Sequence, residues 1–462
     1  MKTWVTRELA EYAVHTEYQD YPRAVVEQVK SLVLDSLGCM FGGRQTDLGK
    51  AIVTPIRSMG GSEESTIVGG GARVPTIQAA FVNGTTANAL DYDDTLFGMG
   101  HPGASIIPAA LAIGEWVKAS GKDVITAILL GYDIGDRIGL AIQPTYERLK
   151  QVWGVGTWQT FSAVVAAAKV LKLDLKQTLN AYGVAGATAP LPNTQKWGWA
   201  LEERPIHWVK EPTGWPSWTG TTAAILARHG FIGNNHILDG DNGFWVMAGS
   251  DRCDYEKMTA GLGSQYEVVT NIALKPYSSC RWQHATLDCV KQLKEEHCLE
   301  ADDVQQVLVH SFGWACTQEL YGPADLVDAQ FCIPYTVTMV LMGIHPGPEW
   351  YTPERLRSEQ VLGASRKVRI ALDPVLDKAY FERNQLSARV EIQTKQGQRF
   401  EAFVDVPRGD PRKPLSSEEI EDKFRSQAAY SLPEEEMDRV IDSVHGFENI
   451  QDISSLMASL AG

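Results

Sequence analysis

Apolar residues recur at helical spacing through most of the first 270 positions. In RAVVEQVKSLVLDSLGCMFGG (23–43) they fall every three to four residues and stop at a glycine pair, the pattern of a helix packed on one face. The same period runs through TIQAAFVNGTTANALDYDDT (76–95), ASIIPAALAIGEWVKAS (104–120) and DVITAILLGYDIGDRIGLAI (123–142). It continues in TFSAVVAAAKVLKL (160–173), LKQTLNAYGVAGAT (175–188) and TGTTAAILARHGF (219–231). Many of these positions are Ala or Gly, which allows close helix packing. No repeat period or heptad appears, so a globular helical domain is predicted and not a solenoid.

Beyond Lys275 the period changes from helical to alternating. QQVLVHS, RKVRIAL, ARVEIQT and RFEAFVDVP are β-branched runs separated by turn residues, with one helical stretch, FCIPYTVTMVLMG, among them. The Pro-rich PRGDPRKPLSSEE (407–419) then leads into three amphipathic segments, the first two with acidic residues at their starts, where the helix dipole favours them. The prediction is a mostly α protein: a large all-helical domain (1–270), an inserted smaller α+β lid (271–404), and C-terminal helices (405–462) that return to the first domain.

At 462 residues the chain is long enough for two cores. A formal net charge of -15 excludes a nucleic-acid partner, and no stretch of 18 apolar residues is present to span a membrane. An acidic shell repels anions at long range, so an anion site needs local cations. Seven scattered cysteines without CxxC read as reduced thiols of a cytoplasmic protein, and the charged N-terminus does not read as a signal peptide.

Nucleotide, zinc-protease and serine-hydrolase motifs are absent. What stands out is ALDYDDTLFGMGHPGAS (89–105), with Asp91, Asp93, Asp94 and Thr95 ahead of His101. Read as helix, Asp91, Asp94 and Thr95 share a face and Asp93 points elsewhere. Three acids at a helix C-terminus oppose the dipole, so the stretch is either compensated functionally or solvated. A metal is a further reading, although the spacing is not that of a calcium loop. His101 precedes a helix start and suits a general base partnered by a carboxylate. KPYSSCRWQHATLDCV places Lys275, Tyr277, Cys280, Arg281 and His284 at the seam between the two textures, where pockets form. HWVKEPTGWPSWTGTTAA places Lys210 in an aromatic loop.

These stretches together resemble a known family. NGTTANALDYDDTLFGMGHPGASIIPAALAIGEW resembles the first signature of the MmgE/PrpD family, and KPYSSCRWQHATLD is similar to its second; QFCIPYTVTMVL looks like a third shared segment. The family includes 2-methylcitrate dehydratase, cis-aconitate decarboxylase and iminodisuccinate epimerase. The resemblance implies a homodimer with a site between the domains that uses no cofactor and no metal. It implies a small anionic carboxylic acid as the partner. By motif position it assigns Asp91, Thr95, His101, Lys210, Lys275, Cys280 and Tyr335 to the site, with Arg281 and His284 as further basic residues of the second motif. The implied chemistry is proton abstraction beside a carboxylate by His101. Asp91 would fix its tautomer, and Lys210 and Lys275 would meet the developing charge. Tyr335 or Cys280 would protonate the leaving atom.

The chain also departs from the family pattern. Trp158 stands where the dehydratase and decarboxylase branches carry a histidine, Gly103 replaces a serine, and Cys280 stands where cis-aconitate decarboxylase carries a second histidine. These changes point away from cis-aconitate and toward a substrate with fewer carboxylates or a bulkier apolar part. A lyase, in the first place a hydro-lyase, is expected, with an epimerase as the alternative, then a decarboxylase and a non-catalytic ligand-binding relative.

Overall fold

A computed structural model describes residues 4–96, 100–194 and 213–462. Lys210, Trp197, Trp199 and Trp208 lie outside the described residues. The chain is mostly α. Helices α1 (Val5–His15) and α2 (Arg23–Arg44) are followed by α3 (Thr76–Asn88), α4 (Gly103–Val117) and α5 (Gly121–Ala141). Then come α6 (Val155–Val170), α7 (Leu175–Thr188) and α8 (Gly214–Arg228). Ser120 accepts from the Asp123 N–H at the start of α5, and Asp174 caps α7 reciprocally with Gln177. These helices bury one continuous apolar core that includes Val33, Ile107, Leu129, Phe161 and Ala224. Short two-stranded pairs interrupt the helical region, among them β1 (Thr95–Leu96) with β2 (Ile272–Ala273).

A second core gathers around a four-stranded sheet of β3 (Val304–Ser311), β4 (Val368–Leu372), β5 (Ala388–Thr394) and β6 (Arg399–Val404). Its order is β6-β5-β3-β4, with β3 and β4 parallel and the other neighbours antiparallel. Burial alternates strictly along β5, the period expected when one face packs inward. Helices α9 (His284–His297) and α10 (Ile333–Leu341) pack into this core. The last helices, α11 (Ser417–Ala428), α12 (Glu434–His445) and α13 (Ser454–Ser459), place Phe424, Val440 and Leu456 in the first core.

One ion pair ties this return to the middle of the molecule. Lys423 on α11 donates to Asp35 Oδ1 on α2 (2.6 Å), to the carbonyl oxygen of Tyr92 (2.6 Å) and to that of Lys275 (3.0 Å). Its ammonium also lies 3.9 Å from the centroid of the Tyr92 ring. Both charged side chains are buried.

Candidate active site

Helix α3 ends at Asn88, before the aspartates. Asp91 adopts φ +49°, a left-handed turn that aspartate tolerates better than most residues, and its N–H closes on the Asn88 carbonyl. The residues that follow are not helical, and this corrects the helical-face reading. Asp91 and Asp93 both turn their carboxylates toward His101, while Tyr92 between them lies under Lys423. Asp94, predicted to share a face with Asp91, sends its carboxyl elsewhere: Oδ2 accepts from the Tyr132 hydroxyl (2.9 Å) and Oδ1 from the Gly103 N–H (3.1 Å).

His101 sits buried at the centre. Its Nδ1 lies 3.1 Å from the Asp94 carbonyl oxygen and 3.3 Å from Asp93 Oδ1; its Nε2 lies 3.4 Å from Asp91 Oδ1. Both ring nitrogens therefore face oxygen acceptors, with the Asp93 and Asp91 carboxylates on opposite edges of the ring. Asp93 and the Asp94 main chain orient the ring at Nδ1, and Asp91, to which the sequence reading gave this task, meets it at Nε2. Asn88 donates to Asp93 Oδ1 (2.9 Å) and holds that carboxylate in place. Burial opposes ionisation of Asp93, but His101 and then Lys275 outweigh it and hold its pKa below the ordinary carboxylate value. Asp94 goes the other way: burial, then the charge of Asp93, pushes it up to about 7.

Asp91 turns out to be the partner of a lysine. Pairing of Thr95 with Ala273 across β1 and β2 brings Lys275 alongside the loop. Its ammonium donates to Asp91 Oδ1 (2.7 Å) and to the Asp91 carbonyl oxygen (2.8 Å). An ammonium has three donors, so among the described residues one N–H of Lys275 remains for a ligand. Thr95 spends its hydroxyl on the Gly100 carbonyl oxygen (2.9 Å), which shapes the approach to His101.

Asp91, Asp93 and His101 offer three ligand atoms within 4.8 Å of one another, a spacing a cation would accept. The Lys275 ammonium already neutralises Asp91 there and would repel a second cation, so the donor set does not fit a metal well.

The second motif supports this centre from behind. His284 Nδ1 accepts from Arg281 (3.1 Å), which leaves Nε2 to donate to the Ser279 carbonyl oxygen (3.2 Å). Burial, then the charges of Arg281 and Lys275, keep His284 well below the usual histidine pKa, so it is neutral. Arg281 also donates to the Arg408 carbonyl oxygen (2.8 Å), and burial lowers its pKa to about 10. The Cys280 thiol accepts from Gln318 (3.3 Å), at the end of a buried amide chain through Gln283 to Thr336. Tyr335 donates to the Trp350 carbonyl oxygen and stacks beside Tyr351 within the second core, so its hydroxyl is already engaged. Trp158 is buried in the helical core, where it occupies the space a Cβ on Gly139 would need. Trp215 and Trp218 instead cluster with Phe81.

The structure thus joins Asp91, His101 and Lys275 directly, and Thr95 and His284 beside them. It adds Asn88, Asp93 and Tyr132, which sequence reasoning did not select. A cleft of about 640 Å³ opens on the far side of the loop, lined by Tyr92, Tyr277, Lys413, Glu419 and Lys423.

Relatives of known name match along nearly the whole chain. Cis-aconitate decarboxylase of Mus musculus is 25% identical over 455 residues, covering 95% of this chain and 89% of that protein. A cis-aconitate decarboxylase-like protein of Aspergillus oryzae, oryM, is 25% identical over 488 residues, covering 99% of this chain and 97% of its own. The cis-aconitate decarboxylase of Aspergillus terreus is 24% identical over 487 residues (99% and 96%). The profile of the MmgE/PrpD N-terminal domain matches residues 7–255 and that of the MmgE/PrpD C-terminal domain residues 277–446. With both halves matched in order, the chain belongs to the MmgE/PrpD family.

Proposed function

We propose that this chain is a cofactor-independent lyase, in the first place a hydro-lyase, that removes a proton from carbon beside a carboxylate of a small carboxylic acid and then expels a hydroxyl from the neighbouring carbon as water. The observation that carries the reading is the buried His101, set between the Asp93 and Asp91 carboxylates and next to the Lys275 ammonium, which has one donor to spare among the described residues. His101 Nε2 takes the proton, and Asp91, 3.4 Å away, stabilises the imidazolium that forms. Lys275 meets the charge developing on the carboxylate oxygens, a prearranged donor in a dry site. Lys210 is assigned to the same task by motif position, and Cys280 to the return of a proton. The full names of the relatives support lyase chemistry in general. A homodimer completes the proposal, to be read by sedimentation equilibrium.

The test is a mass-spectrometric screen of di- and tricarboxylic acids in D₂O, including cis-aconitate and 2-methylcitrate. Loss of water from one acid is the expected result. Deuterium uptake without loss of mass would replace the lyase by an epimerase working through the same proton abstraction. Stoichiometric Mg²⁺, Mn²⁺ or Zn²⁺ in the purified, active protein would overturn the cofactor-free scheme.

A further inference from the structure

Residues 89–94 belong to neither a helix nor a strand, so their buried backbone oxygens need partners from elsewhere. Side chains supply them. The Lys275 ammonium bonds the Asp91 carbonyl oxygen (2.8 Å), the Lys423 ammonium bonds that of Tyr92 (2.6 Å), and His101 Nδ1 lies 3.1 Å from that of Asp94. Two of these three side chains are the base and the cation of the reacting centre. The third, Lys423, belongs to neither motif.

The bonds of Lys423 all lead inward. Its three N–H donors go to Asp35 Oδ1, the Tyr92 carbonyl oxygen and the Lys275 carbonyl oxygen, which leaves none for a ligand. Tyr92 stands between the aspartates that meet the two edges of the His101 ring, and its own buried ring lies under the same ammonium. The gripped carbonyl is therefore part of the peptide that joins Tyr92 to Asp93. The other carbonyl belongs to Lys275, whose side chain bonds Asp91. One ammonium thus holds the loop that flanks the base and the backbone of the lysine opposite it. Its own support is firm. Asp35 lies on α2, and a Cβ on Gly38 of that helix would come within 3.0 Å of the Phe424 backbone, so α11 packs closely there.

A buried ion pair adds little net stability over apolar residues of similar size, because desolvation offsets the attraction. Apolar residues could not, however, bond the two carbonyls. We propose that Lys423 is a positioning residue of the reaction: by bonding the Tyr92 and Lys275 carbonyl oxygens together, it sets the His101 imidazole against the Lys275 ammonium. This rests on the reading of His101 and Lys275 as the reacting centre.

The test is Lys423→Met combined with Asp35→Leu in the full-length protein, which removes both carbonyl bonds without leaving a buried charge. Urea unfolding is expected to show this pair more stable than Lys423→Met alone. Its kcat on the acid identified in the D₂O screen is nevertheless expected to stay about 10–10²-fold low, with KM changed by less than about threefold. In protein carrying ¹⁵N-labelled histidine, the ring-nitrogen signals of His101, identified by their loss in His101→Gln, are expected to shift. Recovery of stability and kcat together, or His101 signals that stay in place, would each overturn the proposal and leave a merely structural ion pair. Should this pair fail to fold, Lys423→Met with Asp35→Asn removes the same donors and is read in the same two ways. The two readings fail separately. Turnover that survives His101→Gln removes the base, while shifted His101 signals still support the clamp; unshifted signals beside turnover lost in His101→Gln remove only the clamp.

Discussion

His101→Gln keeps a polar side chain but has no basic nitrogen, so kcat is expected to fall about 10²–10⁴-fold while the fold persists. Stopped assays on the acid identified in the D₂O screen, with circular dichroism as the control, check this. Asp94 makes a different prediction. Its pKa is higher folded, about 7, than unfolded, ~3.9, so the folded state holds the extra proton between these values. Its contribution is fully present below the unfolded pKa and is lost as pH rises through about 7. Urea unfolding at stepped pH is therefore expected to show Asp94→Asn flattening the decline between about pH 4 and 7, by at most ~1.4 kcal/mol per pH unit. Asp93, whose folded pKa is depressed, acts below that window and leaves it clear. His101, Asp91 and Lys275 were legible in the sequence because motif spacing marks them. Asn88 and Tyr132 lie in ordinary helical stretches that look like core. Asp93 was misassigned because a period of 3.6 was applied to a loop that alternates with a period of two.

At the scale of elements, the start of α4 explains a departure from the family signature. Gly103 abuts the Asp94 carboxyl and the Tyr132 hydroxyl so closely that any Cβ would displace one of them. Gly103→Ser, which restores the signature residue, is expected to destabilise the protein by about 1–3 kcal/mol and to disturb the Tyr132–Asp94 bond; equilibrium unfolding measures the first. Lys423→Met leaves Asp35 buried without its partner, which costs about 3–5 kcal/mol, and Asp35→Leu in the same chain is expected to recover much of it. The helices were legible because apolar periodicity records packing on one face. The place where α3 stops was not, since Asp91 enters its left-handed turn through a contact with the preceding turn that no period reveals. Nor does anything local in SEEIEDKFRSQAA distinguish Lys423 from a solvated charge; its partners lie 388 and 331 residues away in sequence.

For the whole molecule, charge governs encounter. With a formal net charge of -15, a dianionic substrate is repelled on approach, and raising ionic strength from about 0.01 to 0.15 M shortens the screening length from about 30 to 8 Å. A rise in kcat/KM over that range is the expected outcome, the reverse of a cation-steered enzyme. The architecture also has a temporal side. The ammonium that clamps Tyr92 and the Lys275 backbone belongs to residue 423 of 462. Until α11 has been made and packed, Asp35 and the main-chain oxygens of Tyr92 and Lys275 lack their common donor, so the loop before His101 and the start of the second motif are fastened together late in synthesis.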